Sequence, residues 1–177
     1  MRTQLQLPTR AGTRPRTTNT FPHSQLDQQP ADGQHLEEVI AQAATWPWVR
    51  RGDSGISVEG ARALLLGPEC GTGPTEAFMI GREFCHGHAG GDFSLHATLP
   101  VPLAEAAVDA GWAELHFLAH TGQAPRTVVL IYAPRDDHER DVVLGLVRAS
   151  YRFALGQSDD ARVERAAVGE SCAAPKR

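Results

Sequence analysis

Phe78-Met79-Ile80-Gly81-Arg82-Glu83-Phe84-Cys85-His86-Gly87-His88-Ala89-Gly90-Gly91-Asp92-Phe93-Ser94-Leu95-His96 reads as two β-strands folded back on each other. Strand residues alternate between faces. That rule puts Phe78, Ile80, Arg82, Phe84 and His86 on one face, and Met79, Gly81, Glu83 and Cys85 on the other. The turn lies at Ala89-Gly90-Gly91-Asp92, where glycines supply the positive φ of a tight reversal. The return strand runs from Phe93 to Leu99.

Working outward from this hairpin, the chain alternates helical and strand patterns. On the N-terminal side, Asp32 opens a helix in which Leu36, Val39, Ile40 and Ala43 share one face, and Pro47 ends it. Arg50 to Gly55 reads as a turn-rich link, Ile56 and Val58 as a short strand, Ala61 to Leu65 as another, and Gly67 to Thr75 as a loop. On the C-terminal side, Pro100 and Pro102 start a helix closed by Gly111, and Trp112 to Leu118 alternates as a strand. The apolar run Thr127 to Ala133 has the length of a central strand. Asp136 caps the last helix, with Glu139 three residues on, and its buried stripe runs from Val143 through Leu146, Val147, Ser150 and Phe153 to Ala154. This order predicts an α+β domain over residues 32–155: one antiparallel sheet of about five to six strands, with helices packed on one face. Residues 1–31 are rich in Thr, Gln, Pro and Arg without periodicity, and are expected as a disordered, locally basic tail. Residues 156–177 are expected as a flexible one.

Composition excludes several roles. The chain has 177 residues, is 41% hydrophobic and carries a net charge of −4. Between Leu36 and Leu155, 9 arginines face 15 acids, a net −6 that repels a phosphate backbone, so nucleic acid is not an expected partner. No apolar run approaches the roughly 20 residues of a membrane span, and no apolar leader follows Met1. The three cysteines, Cys70, Cys85 and Cys172, show no paired spacing, which suits free thiols in a cytoplasmic protein.

The chemistry gathers in the hairpin. His86 and His88 are two residues apart on one strand face, about 7 Å along the backbone, close enough to share one divalent metal ion. His96 or Asp92 would supply a third ligand. The register decides the matter: pairing His86 with His96 puts all three imidazoles on one face, whereas pairing His88 with Phe93 turns His96 away. The second suits the shorter loop and argues against the trio, and the sequence leaves both registers open. Arg82 shares the His86 face as a prospective anion clamp, Glu83 falls on the opposite face, and Cys85 is expected buried and inert rather than nucleophilic. The alternative to a metal site is that the histidines are polar strand-end residues satisfied by hydrogen bonds.

Gly81-Arg82-Glu83-Phe84, His86-Gly87-His88, Ser94-Leu95-His96 and Leu99-Pro100 together resemble the luciferase domain family of small bacterial and fungal proteins. Ala110 to Glu114 with His116, and Leu146 to Tyr151, resemble that family's later strand and closing helix. The resemblance spans roughly Leu36 to Leu155. It implies that Gly81, Arg82, Glu83, His86 and His88 are the site positions, and it carries over no reaction and no cofactor. A flavin-dependent luciferase needs a barrel of about 250 residues, which this chain cannot build. The expectation is a small-molecule-binding or accessory domain. Its alternative is a small enzyme using His86 and His88 as metal ligands or as general acid and base, with Arg82 and Glu83 as further catalytic candidates.

Overall fold

A computed structural model describes residues 7–157. The elements in chain order are α1 (Gln34–Ala43), β1 (Val49–Asp53), β2 (Arg62–Leu66), β3 (Glu83–Gly87), β4 (Leu95–Thr98), α2 (Val101–Asp109), β5 (Ala113–Leu115), β6 (Val128–Ile131) and α3 (Asp137–Ala154). The six strands form one sheet in the order β1-β2-β3-β4-β6-β5, and every pairing is antiparallel. The α+β architecture expected from the sequence is the one observed.

Each helix forms where its apolar spacing said it should. Leu36, Val39, Ile40 and Ala43 are the buried stripe of α1. Asp136 caps α3 by accepting the Glu139 amide at 2.8 Å. Tyr151, rather than Phe153, completes the buried stripe of α3. The stripes of α1, α2 and α3 merge with Cys85, Leu95, Ala97, Val129 and Ile131 into one core, so the helices cover one face of the sheet. At Gly87 the fit is tight: a Cβ there would stand 3.2 Å from the Leu36 side chain.

Three local expectations shift. The turn-rich link pairs as β1, with Arg50 opposite Leu65 and Gly52 opposite Ala63, while Ile56 and Val58 lie outside any strand. The first hairpin strand begins at Glu83, because Ile80 to Glu83 close a tight turn through Gly81, whose φ is +55°. The largest shift is at the N-terminus. Residues 7–31 were expected without structure, yet Arg16 to Leu26 form a small hairpin, with Thr18 N donating to Ser24 O at 3.0 Å and Leu26 N to Arg16 O at 2.8 Å. Arg10, His23 and Gln25 within this segment are buried. The Arg10 amide donates to Ala110 O, the Trp112 indole to Pro8 O, and Ala133 N to the Gln25 side chain. The expectations for residues 1–6 and 158–177 fall outside the described residues.

Candidate functional site

The sheet face away from the helices carries a row of directly opposed residues. Ala63 pairs with His86, His86 with His96, His96 with Leu130, and Leu130 with Glu114. The register is therefore the one that the shorter loop argued against, His86 opposite His96. An Asx-type turn explains it: Asp92 Oδ1 accepts from Ser94 N at 2.9 Å, and His88 N donates to Ser94 O at 3.0 Å, so the connection is wider than a two- or four-residue loop. His88 follows Gly87, whose bare Cα is pressed against α1, and so shares the face of His86. His86, His88 and His96 come together, and all three are buried.

A second correction concerns Glu83. The β2–β3 ladder shifts register, so that Leu64 faces Cys85 and Leu65 faces Glu83 with Phe84 left over. That bulge resets the alternation. Phe84 and Cys85 both enter the core, and Glu83 joins the face of His86. Burial drives the Cys85 thiol pKa far up, in keeping with an inert core residue. Arg82 does not reach the site. Its guanidinium donates to the carbonyls of Leu66, Gly67 and Cys70, which binds the loop after β2 and leaves no anion clamp.

Each imidazole of the trio is held from behind. His86 Nδ1 lies 2.7 Å from Glu83 Oε1, and Glu83 also accepts from the Ser54 hydroxyl at 2.7 Å and the Gly55 amide at 2.9 Å. His88 Nδ1 lies 2.8 Å from Asp92 Oδ2, and the Ser94 hydroxyl donates to Asp92 Oδ1 at 2.7 Å. His96 Nε2 lies 3.1 Å from His23 Nδ1, and His23 Nε2 lies 2.8 Å from Glu114 Oε1. Burial acts to raise the three carboxyl pKa values, but hydrogen bonds from the histidines and other donors outweigh it. Glu83 and Glu114 sit below the ordinary range, and Asp92 falls to about 2.

Ionised carboxylates only accept, so the nitrogen facing each one carries the proton. Hydrogen positions then follow from the network. His86 and His88 hold their protons on Nδ1 and turn Nε2 lone pairs inward. His23 holds its proton on Nε2, so His96 must donate from Nε2 to His23 Nδ1 and turn its own Nδ1 lone pair inward. Three lone pairs thus converge, with His96 Nδ1 at 2.8 Å from His88 Nε2 and 3.3 Å from His86 Nε2. Three ligand nitrogens on one ion, each about 2.0–2.1 Å from it, stand roughly 2.9–3.4 Å apart, which fits these spacings. A proton is a poor substitute for the ion. Burial, and then the neighbouring histidines His88, His86, His23 and His116, hold His96 well below the usual imidazole range. Burial likewise lowers His86, against the pull of Glu83. Asp92, a candidate ligand in the sequence, instead orients His88.

The trio forms the floor of a cavity of about 870 Å³. Its walls come from the N-terminal hairpin, from Ile56 to Val58, from the β3–β4 loop and from the segment around Leu118 to Pro125. Among the described residues neither lysine nor arginine lines it, and Asp92 is its one carboxylate. Phe21, Leu26, Ile56 and Val58 stand exposed at its rim, at 67%, 55%, 54% and 40%. His116 also lines the cavity, stacked on Phe117 at 4.6 Å. Burial, with His23 and His86 adding to it, lowers His116 to about 4. Its Nδ1 accepts the Leu118 amide, which leaves the ring proton on Nε2. The sequence reading missed His23, His116, Ser54 and Gly55 as site residues. His23 sits in a stretch without periodicity, and only long-range pairing reveals it.

A family model of the luciferase domain matches residues 81–150. Proteins named luciferase from Armillaria gallica and Armillaria ostoyae are each 31% identical to this chain over 161 residues, 83% of this chain and 60% of theirs. One from Armillaria mellea is 30% identical over the same span. The chain therefore spans about 60% of the length of these curated fungal relatives. No solved structure matches. Within residues 81–150 lie the bulge at Phe84, the three converging histidines and Glu114, and over this segment the chain is similar to the luciferase domain family.

Proposed function

We propose that this luciferase-domain protein is a small-molecule enzyme in which His86, His88 and His96 hold one divalent transition metal ion at the cavity floor. The observation that carries it is the convergence of three inward lone pairs, each fixed by a partner behind the ring. Carboxylates behind metal-binding imidazoles set the tautomer and raise ligand basicity. Three neutral imidazoles suit zinc, copper, iron or nickel. With three protein ligands, a coordination position stays open toward the cavity for water or a substrate oxygen. Among the described residues no lysine or arginine lines the cavity, and its rim is apolar, which favours an uncharged, largely apolar substrate over a phosphorylated one. The name of the Armillaria relatives is an enzyme's, and it supports an enzyme over a purely accessory domain. Cys85 is a free thiol, which supports a cytoplasmic setting.

Elemental analysis of protein purified without a histidine tag tests the metal. One equivalent is expected in the wild type, and less than a tenth of that in His96→Ala. Protein that takes up no zinc, copper, iron, cobalt or nickel on incubation, or a His96→Ala variant that still holds a full equivalent, would sink the proposal.

A further inference from the structure

Among the described residues, two of the three inward histidines have a carboxylate within direct reach, and the third does not. Glu83 lies three residues from His86 in sequence, Asp92 four from His88, and each touches its histidine at 2.7 and 2.8 Å. His96 has no such neighbour. The acid in its row is Glu114 on β5, and β6 lies between them, with Leu130 facing both. Strands two places apart are separated by about 9–10 Å, too far for a carboxylate to reach an imidazole. His23 fills that interval. It enters on the N-terminal hairpin, is 3% exposed, and touches His96 with one ring nitrogen and Glu114 with the other. Glu114 is itself fixed by the Tyr132 hydroxyl at 3.1 Å.

We infer that His23 is a positioning residue for the metal site, relaying Glu114 to His96 so that the His96 Nδ1 lone pair points at the metal. This rests on the metal reading above and adds a residue outside the segment matched to the family. The competing arrangement is a second metal ion held by His23, His96 and His116, whose ligand atoms also lie within 4.8 Å of one another. The hydrogen bonds decide against it. His116 Nδ1 accepts from the Leu118 amide, so a neutral His116 offers no lone pair at Nε2. His96 would also have to give up its one ring N–H proton to bridge two ions. The relay needs no such ionisation, and it gives all three ligands the same backing, an acid behind the ring.

The docking of the hairpin is tied to the same network. Asp92, which orients His88, also accepts from the Gln25 amide at 3.2 Å and from the Gln29 side chain at 3.1 Å. Two of the three ligands are thus oriented by groups that also contact the segment before α1.

The test uses full-length protein and zinc or cobalt(II) as the probe. His23→Leu removes the acceptor for His96 Nε2–H, and zinc affinity is expected to fall about 10- to 100-fold, as it does when such backing is removed elsewhere. His23→Gln keeps an amide oxygen for His96 and an amide N–H for Glu114, so affinity should stay within about threefold of wild type. Glu114→Leu should match His23→Leu, and the double variant should be no weaker than either, because both lie on one path. Cobalt(II) spectra should change in His23→Leu and revert in His23→Gln, which a merely structural role would not produce. In metal-free protein, long-range nitrogen–proton NMR correlations should show His96 as the Nε2–H tautomer, independent of metal uptake. His23→Leu with wild-type affinity and spectrum, while His96→Ala loses the metal, overturns the relay alone. Two metal ions per wild-type chain, falling to one in His23→Leu, makes His23 a ligand and also overturns it. A wild-type protein that binds no metal overturns the relay and the proposed function together. If His23→Leu unfolds, the comparison of His23→Gln with wild type and the NMR tautomer still decide.

Discussion

Replacing Glu139 with alanine should unfasten the N-terminal segment, and the structure sets the size of the effect. Glu139 lies in the first turn of α3 and is 3% exposed. It accepts from the Arg135 backbone amide and the Arg135 Nε, each at 3.0 Å, and its Oε1 stands 3.7 Å from Arg10 Nε. Arg10 is 5% exposed, its Nε and Nη2 make no hydrogen bond among the described residues, and its guanidinium lies 5.5 Å from the centre of the Tyr132 ring. Glu139 is therefore the main counter-charge for a buried arginine. Removing one partner of such a pair costs about 3–5 kcal/mol, because the other charge stays buried and alone. For a domain of this size, that is a fall in melting temperature of roughly 10 °C. Removing the Arg10 charge as well should relieve the buried arginine, so Glu139→Leu with Arg10→Met should regain part of the loss, the remainder reflecting Arg135, which also donates to Glu139. Urea unfolding followed by tryptophan fluorescence reads both, and Trp112, whose indole donates to Pro8 O, reports on the docked segment itself. A loss below 1 kcal/mol in Glu139→Ala would refute the reasoning. So would a double variant as unstable as the single one.

Other outcomes follow from single contacts. Asp92→Leu removes both acceptor oxygens and the negative charge behind His88 Nδ1, and zinc affinity measured by competition with a chelating dye should fall about 10- to 100-fold. Gly87→Ala drives a methyl to 3.2 Å from Leu36, and urea unfolding should show a loss of about 1–3 kcal/mol. Cys85, fully buried with its pKa raised, should react with a thiol reagent only in denaturant, and fast labelling in the native state would disprove its burial. Arg82→Met should lower stability by loosening the loop after β2 while leaving metal content unchanged, since its three hydrogen bonds all go to backbone carbonyls.

The parts of the fold that sequence reading reached are those set by local periodicity. The stripe of α1, the Asp136 cap and the central strand β6 each follow from spacing within about ten residues. The parts that escaped it depend on events across strands. Alternation counted from Phe78 put Glu83 opposite His86, and one extra residue in the β2–β3 ladder reversed that. The register of His96 turned on Asp92 accepting the Ser94 amide, an interaction that widens the loop and that glycine content alone does not specify. The resemblance had put Glu83 among the site positions while alternation argued against it. The bulge reconciles the two.

The N-terminal segment failed for a different reason. Its composition is that of a chain unable to bury a core of its own, and it does not build one. It is held instead by polar groups borrowed from the domain: Asp92 for Gln25 and Gln29, the Ala133 amide for Gln25, Glu139 for Arg10, and Glu114 for His23. No hydropathy pattern can announce such docking, because its partners lie 63 to 129 positions away in sequence. The division has a consequence for the site. His86 and His88 bring their carboxylates from the same few residues of hairpin, so their orientation is settled once that hairpin folds. His96 acquires its backing only after β5 has joined the sheet and the N-terminal hairpin has docked over Leu130. A complete set of three oriented imidazoles is therefore a property of the finished tertiary structure, and the last residue to arrive, His23, is the one that the sequence marked least.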